Sequence, residues 1–255
     1  MTIEVGLCTI SSKERSVEDV LELAGDVGYD GVELWGRDHV GDGSVETCEE
    51  ITDTAAIHGL EIASYGSYLR CGAEDFEAAL EHELTVTDRL GTDVIRVWAG
   101  SQNYNECDQA HWEAVVADLE ALTERAADYG LRVTVEKHDN TVTNDLAGAK
   151  TLIDTVGDER CRLNYQPGFG IPASELEREA TELAALSNQL HLQGTRERTA
   201  SERAPLSEVY YDLEAILEPF LEGEFDGYAN VEFVTDERTY REAIEADLET
   251  IRSYL

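Results

Sequence analysis

The chain has 255 residues, of which 42% are hydrophobic, and this apolar content argues against an acidic disordered polypeptide. Its 55 acidic and 19 basic residues give a formal net charge of −36, so its surface repels the phosphate backbone of nucleic acids. No run approaches the ~20 apolar residues of a membrane span, and no basic segment followed by an apolar one begins the sequence, so we expect neither membrane association nor a secretory signal.

Short β-branched segments alternate with long amphipathic acidic segments along the whole chain, which predicts alternating strands and helices. The predicted strands are residues 3–9, 31–35, 61–65, 93–99, 132–136, 162–165, 189–193 and 229–234. The predicted helices are residues 17–27, 45–58, 76–90, 109–129, 146–155, 174–185, 211–221 and 239–254. In the first helix Val17, Val20, Leu21, Ala24 and Val27 share one face, which is the spacing of an amphipathic helix.

Glycines separate several predicted helices from the strands that follow them: Gly28, Gly59, Gly91, Gly130, Gly157 and Gly227. We expect each of them to adopt the left-handed conformation that ends a helix. Eight βα units at intervals of roughly 30 residues, with no linker between them, predict a single (β/α)8 barrel, a TIM barrel, over residues 1–255. The alternative is a doubly wound open sheet, but residues 9–13 (TISSK), after the first strand, do not form a glycine-rich phosphate loop.

The charge and the cysteines bear on the environment of the protein. Self-repulsion of 36 net negative charges destabilises a compact state in dilute salt, and molar salt screens it, which predicts a halophilic protein. The cysteines are odd in number and include no CxxC pair, which argues against a disulfide framework or a zinc knuckle and favours the cytoplasm. They are Cys8, Cys48, Cys71, Cys107 and Cys161.

Polar residues at the C-terminal ends of strands are candidates for chemistry, because barrel enzymes place their active groups there. Strands 5 to 8 are consecutive, so Glu136, Gln166, His191 and Glu232 can converge on one point. These oxygen and nitrogen ligands suit Mn2+, Mg2+ or Co2+, with Zn2+ as a further option. A carboxylate within a β-branched run is costly unless it is paired or bound to a cation. Taken singly, a strand-end glutamate can equally be a solvated edge charge, and His191 a core histidine.

The motifs at these strand ends are 31–35 (GVELW), 65–68 (YGSY), 96–100 (RVWAG), 136–138 (EKH), 164–167 (NYQP), 191–193 (HLQ) and 231–233 (VEF). In order and spacing they resemble the xylose isomerase-like TIM barrels, the sugar phosphate isomerase/epimerase superfamily that shares its fold with apurinic endonuclease family 2. The resemblance implies a divalent metal held by Glu136, Gln166, His191 and Glu232. Gln166 departs from the aspartate of the family, which lowers the ligand charge from −3 to −2 and leaves metal identity and metal retention open.

The same resemblance implies a metal-dependent isomerase or epimerase that acts on a sugar or a related hydroxy-carbonyl compound by proton transfer through an enediolate. Glu136 and Glu232 would serve as base and acid. Glu33 either contacts the substrate or braces Arg96, and the aromatic residues can equally be packing. The residues assigned to substrate binding are His138, Arg196, Glu33, Trp35, Tyr68, Arg96 and Trp98.

Three other functions compete with an isomerase. A metal-dependent lyase or dehydratase shares the proton abstraction and differs in the fate of the enolate. A non-catalytic binding protein that has lost its metal is supported mainly by Gln166. An abasic-site endonuclease is disfavoured by the negative charge and by only six histidines. We expect a small carbohydrate-like substrate, and the absence of an arginine cluster in the sequence favours an unphosphorylated one; a homo-oligomer is compatible with the sequence.

Overall fold

The computed structural model describes residues 3–223 and 225–255 and forms a closed barrel of eight parallel strands in sequence order. Pairing of β1 with both β2 and β8 closes it, with Gly6 opposite Gly31 on one side and Asn230 on the other. The strands are β1 Glu4–Cys8, β2 Gly31–Trp35, β3 Glu61–Cys71, β4 Val94–Ala99, β5 Arg132–Glu136, β6 Cys161–Tyr165, β7 Ser187–Leu192 and β8 Tyr228–Val231. The predicted TIM barrel is confirmed.

A helix follows each strand, as the periodicity predicts, and the outer layer is therefore helical. The helices are α1 Val17–Val27, α2 Val45–Ile57, α3 Phe76–Arg89, α4 Gln109–Asp128, α5 Leu146–Val156, α6 Ala173–Leu183, α7 Leu213–Glu222 and α8 Tyr240–Arg252. Side-chain oxygens of Ser16, Asp145 and Thr239 accept hydrogen bonds from the first turns of α1, α5 and α8. These caps fix where the helices begin and how long the preceding loops are. No helix in the described part of the chain is long and apolar enough to cross a membrane.

Two strands differ from the prediction by several residues at their C-terminal ends. β3 continues to Cys71 rather than ending at residue 65, because its pairing with β4 resumes at Arg70 after an irregularity. This extension places Tyr68 and Arg70 at the mouth of the barrel. β8 ends at Val231 rather than at residue 234, so Glu232 lies just beyond the strand. Its backbone N–H still donates to the carbonyl of Leu192, at 3.0 Å, which holds Glu232 beside β7.

The predicted left-handed glycines are confirmed at five of the six positions, with φ between 61° and 99° at Gly28, Gly59, Gly91, Gly130 and Gly157. The prediction is wrong for Gly227, which is not among the residues with positive φ. Close packing explains the glycine at position 227 instead, because an added Cβ would lie 1.8 Å from the carbonyl oxygen of Asn188.

The apolar core lies between the strands and the helices, where the buried residues include Leu7, Leu34 and Ile95. The inner face of the barrel is polar by contrast. Thr134 and Asn164 are fully buried one alternation below the strand ends that carry Glu136 and Gln166. A polar floor of this kind lets charged side chains occupy the layer above it.

Candidate active site

Three candidate residues meet at the C-terminal end of the barrel. Glu136 ends β5, His191 lies in β7 and Glu232 follows β8, and their ligand atoms all lie within 4.8 Å of one another. His191 Nδ1 is 3.7 Å from Glu232 Oε2 and is buried without a hydrogen-bond partner among the described residues. An unpartnered imidazole nitrogen between two buried carboxylates has the chemistry of a divalent-cation site. The convergence predicted for these three residues is present.

Arg96 links the strand-end carboxylates. Its Nε lies 3.0 Å from Glu33 Oε1, and its other guanidinium nitrogen contacts Glu136. Glu33 also accepts hydrogen bonds from Ser64 at 2.8 Å and contacts His191 Nε2 at 3.1 Å. Glu33 therefore braces Arg96 and His191, which favours the structural alternative over direct substrate contact.

Burial and charge act in opposite directions on these groups. Burial disfavours ionisation of Glu33, but Arg96 and His191 outweigh it and lower the pKa of this carboxyl to about 2. Burial lowers the pKa of Arg96, but Glu136 and Glu33 outweigh it and raise the pKa above its usual value. For Glu232, burial and the neighbouring Glu136 raise the pKa, although His191 opposes them. The positive charge near Glu232 therefore does not fully offset the burial of this carboxyl and its repulsion by Glu136.

The two glutamines join the cluster through their amides. Gln166 Nε2 donates to Glu136 Oε1 at 3.1 Å and to the carbonyl of Lys137 at 2.8 Å. Gln193 Nε2 donates to Gln166 Oε1 at 2.8 Å and also contacts Glu232. Gln166 therefore lies beside the site as predicted, but its oxygen is already bonded to Gln193. Gln193 Oε1 is buried without a partner in the described structure, so Gln193 is a second amide ligand candidate.

The residues present fit a divalent cation, and Glu136, His191 and Glu232 with one amide oxygen from Gln166 or Gln193 would hold it. Cys8 Sγ lies 3.5 Å from His191 Nε2, in a second group with Glu33. Burial and the charge of Glu33 raise the pKa of the Cys8 thiol well above its usual range. A neutral thiol is a poor ligand. His191 Nε2 is in contact with Glu33, so Nδ1 is the nitrogen available to a metal.

Aromatic side chains surround this cluster on the side of β2 to β5. The Trp35 indole N–H donates to the Tyr68 hydroxyl at 2.7 Å, and the Tyr68 and Trp98 rings lie 5.7 Å apart. Trp98 stacks on His138 with a centroid distance of 5.1 Å, and its indole N–H contacts Glu136. The aromatic residues assigned to substrate binding therefore form a wall that extends up to the carboxylate cluster.

A cavity of about 90 Å³ opens at the same end of the barrel, among the segments that follow β5 to β8. Its lining includes Glu232, Gln166, Gln193, Lys137, His138 and Arg203. Lys137 is neutralised by Glu179 at 3.0 Å. A larger cavity of about 510 Å³ lies at the opposite end of the barrel, but Arg132 there is paired with Asp93 and Asp226 and none of the clustered carboxylates lines it. The smaller cavity is therefore the better candidate for the reaction.

The arginine at this cavity is not the one selected from the sequence. Arg196 is exposed and forms ion pairs with Glu208 at 2.8 Å and Glu237 at 2.5 Å, so the structure does not bring it to the cluster. Arg203, from the same loop after β7, lines the cavity instead. No periodicity or motif in the sequence distinguishes Arg203, because its position depends on the path of the loop.

The sequence model of the family described as xylose isomerase-like TIM barrel matches residues 21–254. A 3-dehydroshikimate dehydratase of Bacillus anthracis is 27% identical over 170 residues, which span 64% of this chain and 61% of that relative. The crystal structure of the probable 3-DHS dehydratase AsbF from Bacillus anthracis is similar, with a TM-score of 0.82, 20% identity and coverage of 98% of this chain and 99% of that chain.

D-allulose 3-epimerase from Methylomonas sp. has a similar structure, with a TM-score of 0.79, 15% identity and coverage of 99% of this chain and 98% of that chain. At these identities the likeness to solved structures establishes the fold alone, and the match to the family model extends over most of the sequence. The chain therefore belongs to the xylose isomerase-like TIM barrel family.

Proposed function

We propose that this protein is a divalent-metal-dependent enzyme that removes a proton from the carbon beside a carbonyl group in a small hydroxy-carbonyl compound. The observation that carries this proposal is the group formed by Glu136, His191 and Glu232, buried at the C-terminal end of the barrel with His191 Nδ1 unpartnered in the described structure. A divalent ion bound there would polarise the carbonyl oxygen of the substrate as a Lewis acid. Membership of the family agrees with an enzyme of this kind.

Geometry favours Glu232 over Glu136 as the base. Glu136 accepts hydrogen bonds from Arg96, Trp98 and Gln166, which occupy three of its roughly four acceptor positions and leave one, on Oε1, for a metal ion. Glu232 accepts from Gln193 and lines the cavity. A base has to reach the proton that it removes, which Glu232 can do from the cavity wall. Glu136 then serves to orient Arg96 and Trp98 and to complete the metal site.

The proton can have two fates, and these define the isomerase and the dehydratase. An isomerase or epimerase returns a proton to the same or the neighbouring carbon. A dehydratase breaks the bond to a β-hydroxyl and supplies a proton to the leaving oxygen, so that water is released. The matched dehydratase of Bacillus anthracis supports the second outcome, and the structural likeness to the epimerase supports the first. His138 can supply or accept the second proton, since its Nδ1 faces the Asp139 carbonyl at 2.7 Å and leaves Nε2 for a substrate.

The proposal is tested by incubating the protein with Mn2+ in D2O with ketoses, aldoses and hydroxy-keto acids. Mass spectrometry and NMR detect deuterium beside the carbonyl, and ultraviolet absorbance detects a conjugated product. Deuterium in recovered substrate or isomer identifies an isomerase or epimerase, while a conjugated product identifies a dehydratase.

The matched variants are Glu232→Gln at the site and Glu81→Gln on the exposed face of α3. We expect Glu232→Gln to remove the exchange and Glu81→Gln to retain it. Absence of exchange and of product across the whole panel, with metal bound, would leave a non-catalytic binding protein as the better description. The cytoplasmic, oligomeric and halophilic assignments remain predictions.

A further inference from the structure

The stacks of basic side chains on aromatic rings in the described part of the chain all lie at the C-terminal end of the barrel. Four of these basic residues follow or end strands that surround the candidate site, and we name them the basic collar: Lys13, Arg37, Arg70 and Arg203. Arg70 lies over Trp98 at 4.1 Å from the ring centroid, and Arg37 over Tyr68 at 4.0 Å. The collar thus uses the rings that form the wall of the site.

Arg203 is held by two rings. Its guanidinium carbon is 4.4 Å from the Phe169 centroid and 4.8 Å from the Phe233 centroid. Lys13 Nζ approaches the same Phe233 ring at 5.8 Å and Trp35 at 5.7 Å. The cation–π contacts are therefore continuous from the loop after β6, through the segments that follow β8 and β1, to the end of β2.

None of the four collar residues forms an ion pair with a carboxylate among residues 3–223 and 225–255, although the sequence holds 55 acidic side chains. Burial lowers the pKa of Arg70 and of Arg203, although Glu136 and Glu232 respectively oppose this. A partly buried guanidinium without a counter-ion is costly, and this distinguishes Arg70 and Arg203 from exposed basic residues that also form no ion pair among the described residues, such as Arg178. The collar therefore retains positive charge that a ligand can neutralise.

The net charge of the whole molecule also affects which ligands reach the site. A surface with a net charge of −36 repels anionic ligands, so an anion can reach the site only where positive charge is local. Arg203 and Glu232 line the same cavity of about 90 Å³. A small substrate can then contact Glu232 with its reacting carbon and Arg203 with its opposite end.

We propose that the basic collar recognises an anionic group, a carboxylate or a phosphate, on the substrate, with Arg203 as the residue that contacts it. This inference rests on the proposed function for the position of the reacting carbon. It revises the expectation of an unphosphorylated substrate, which rested on the absence of an arginine cluster in the sequence. The guanidinium can donate two hydrogen bonds to a planar carboxylate or to a phosphate while it remains stacked on its aromatic partners.

The test is a titration of the metal-loaded protein with inorganic phosphate and, separately, with malonate, at constant ionic strength in a salt concentration that keeps the protein folded. Tryptophan fluorescence is a local probe, because Lys13 and Arg70 of the collar lie over the rings of Trp35 and Trp98. Trp112, the third tryptophan, packs on Tyr104 in the outer layer. Calorimetry gives the stoichiometry. The variants are Arg203→Gln and Arg70→Gln, with Arg160→Gln as the matched control.

We expect one-to-one binding of at least one anion, weakened ~10-fold or more by Arg203→Gln, which is the loss expected for a charge-assisted pair. Arg160 is paired with Asp158 at the other end of the barrel, at 2.6 Å, so Arg160→Gln should leave the affinity unchanged. Binding of phosphate alone indicates a phosphorylated substrate, and binding of malonate alone a carboxylated one.

The inference is overturned if neither anion binds, if Arg203→Gln binds like the parent, or if Arg160→Gln weakens binding as much as Arg203→Gln does. Anion binding is measured without turnover, so it can succeed while deuterium exchange fails. Deuterium exchange only in neutral sugars, with no anion binding, would support the proposed function and contradict the proposed role of the basic collar.

Discussion

The basic side chains at the two ends of the barrel have different partners. At the N-terminal end, Arg132 pairs with Asp93 and Asp226, Arg160 with Asp158, and Arg252 with Asp30. At the C-terminal end, the basic collar stacks on aromatic rings. Ion pairs with carboxylates are common among the described residues of this acidic chain, so the N-terminal pairs need no functional explanation. The cations stacked on aromatic rings, the unpartnered His191 Nδ1 and the clustered carboxylates occur together at one end of the described barrel, where a ligand can complete them.

The contrast between the two ends predicts, as its largest effect, that changes to the clustered ligands at the C-terminal end abolish metal binding. His191→Ala removes one of the three clustered ligands and Glu232→Gln replaces a charged ligand by a neutral amide, so we expect Mn2+ affinity to fall by more than ~100-fold, beyond the loss usual for outer-sphere partners. The circular dichroism spectrum should remain that of the parent, because both residues serve the site rather than the apolar core. Calorimetric titration with Mn2+ measures the affinity.

His82→Ala is the matched control, since His82 is exposed on α3. It should bind Mn2+ like the parent. If His191→Ala and Glu232→Gln also bind like the parent, the metal site lies elsewhere and the contrast between the two ends loses its main support.

A second effect concerns charge over the whole surface. The Debye length falls from about 10 Å at 0.1 M salt to about 3 Å at 1 M, which screens repulsion among the carboxylates more than it weakens short ion pairs. We expect Tm to rise by roughly 10 °C over this range, which corresponds to about 3 kcal/mol for a chain of this size. Thermal unfolding followed by circular dichroism measures it. An unchanged Tm would contradict the halophilic prediction and weaken the argument that the −36 charge governs ligand access.

The smallest expected effect is at Gln166. Gln166→Glu keeps the stem length and adds a negative charge beside Glu136, at a position where the amide now lies 3.1 Å from that carboxylate. Mn2+ should bind severalfold more tightly, because a charged oxygen interacts with a divalent ion more strongly than an amide does. Without metal the two carboxylates repel each other, so the Tm of metal-free protein should fall.

Opposite changes in affinity and in metal-free Tm, measured on one preparation of each protein, would place residue 166 next to the ion. A lower Tm with unchanged affinity would mean that Gln166 only supports Glu136 and that Gln193 supplies the amide ligand.

The sequence by itself determined the barrel and the carboxylate-histidine core of the site. Alternation of β-branched and amphipathic segments has a regular period, which predicts the strands and helices. In a parallel barrel the ends of successive strands are neighbours, so the sequence also predicts that Glu136, His191 and Glu232 lie close together, as they do. Strand ends were predicted less well, as the longer β3 and the shorter β8 show, because pairing with neighbouring strands decides where a strand stops.

Only the tertiary structure decided which charges are neutralised. Arg196 and Arg203 lie seven residues apart in one loop, yet one pairs with surface glutamates and the other enters the cavity. Loop paths depend on packing against other βα units, and that packing has no periodic signature in the sequence. The basic collar is assembled from four separate loops and strand ends for the same reason. Gln193 joins the site because its position just after β7 brings its amide into contact with Glu232. Local sequence fixes the position of a side chain on its own strand, whereas its partner across the barrel is fixed by closure of the whole sheet.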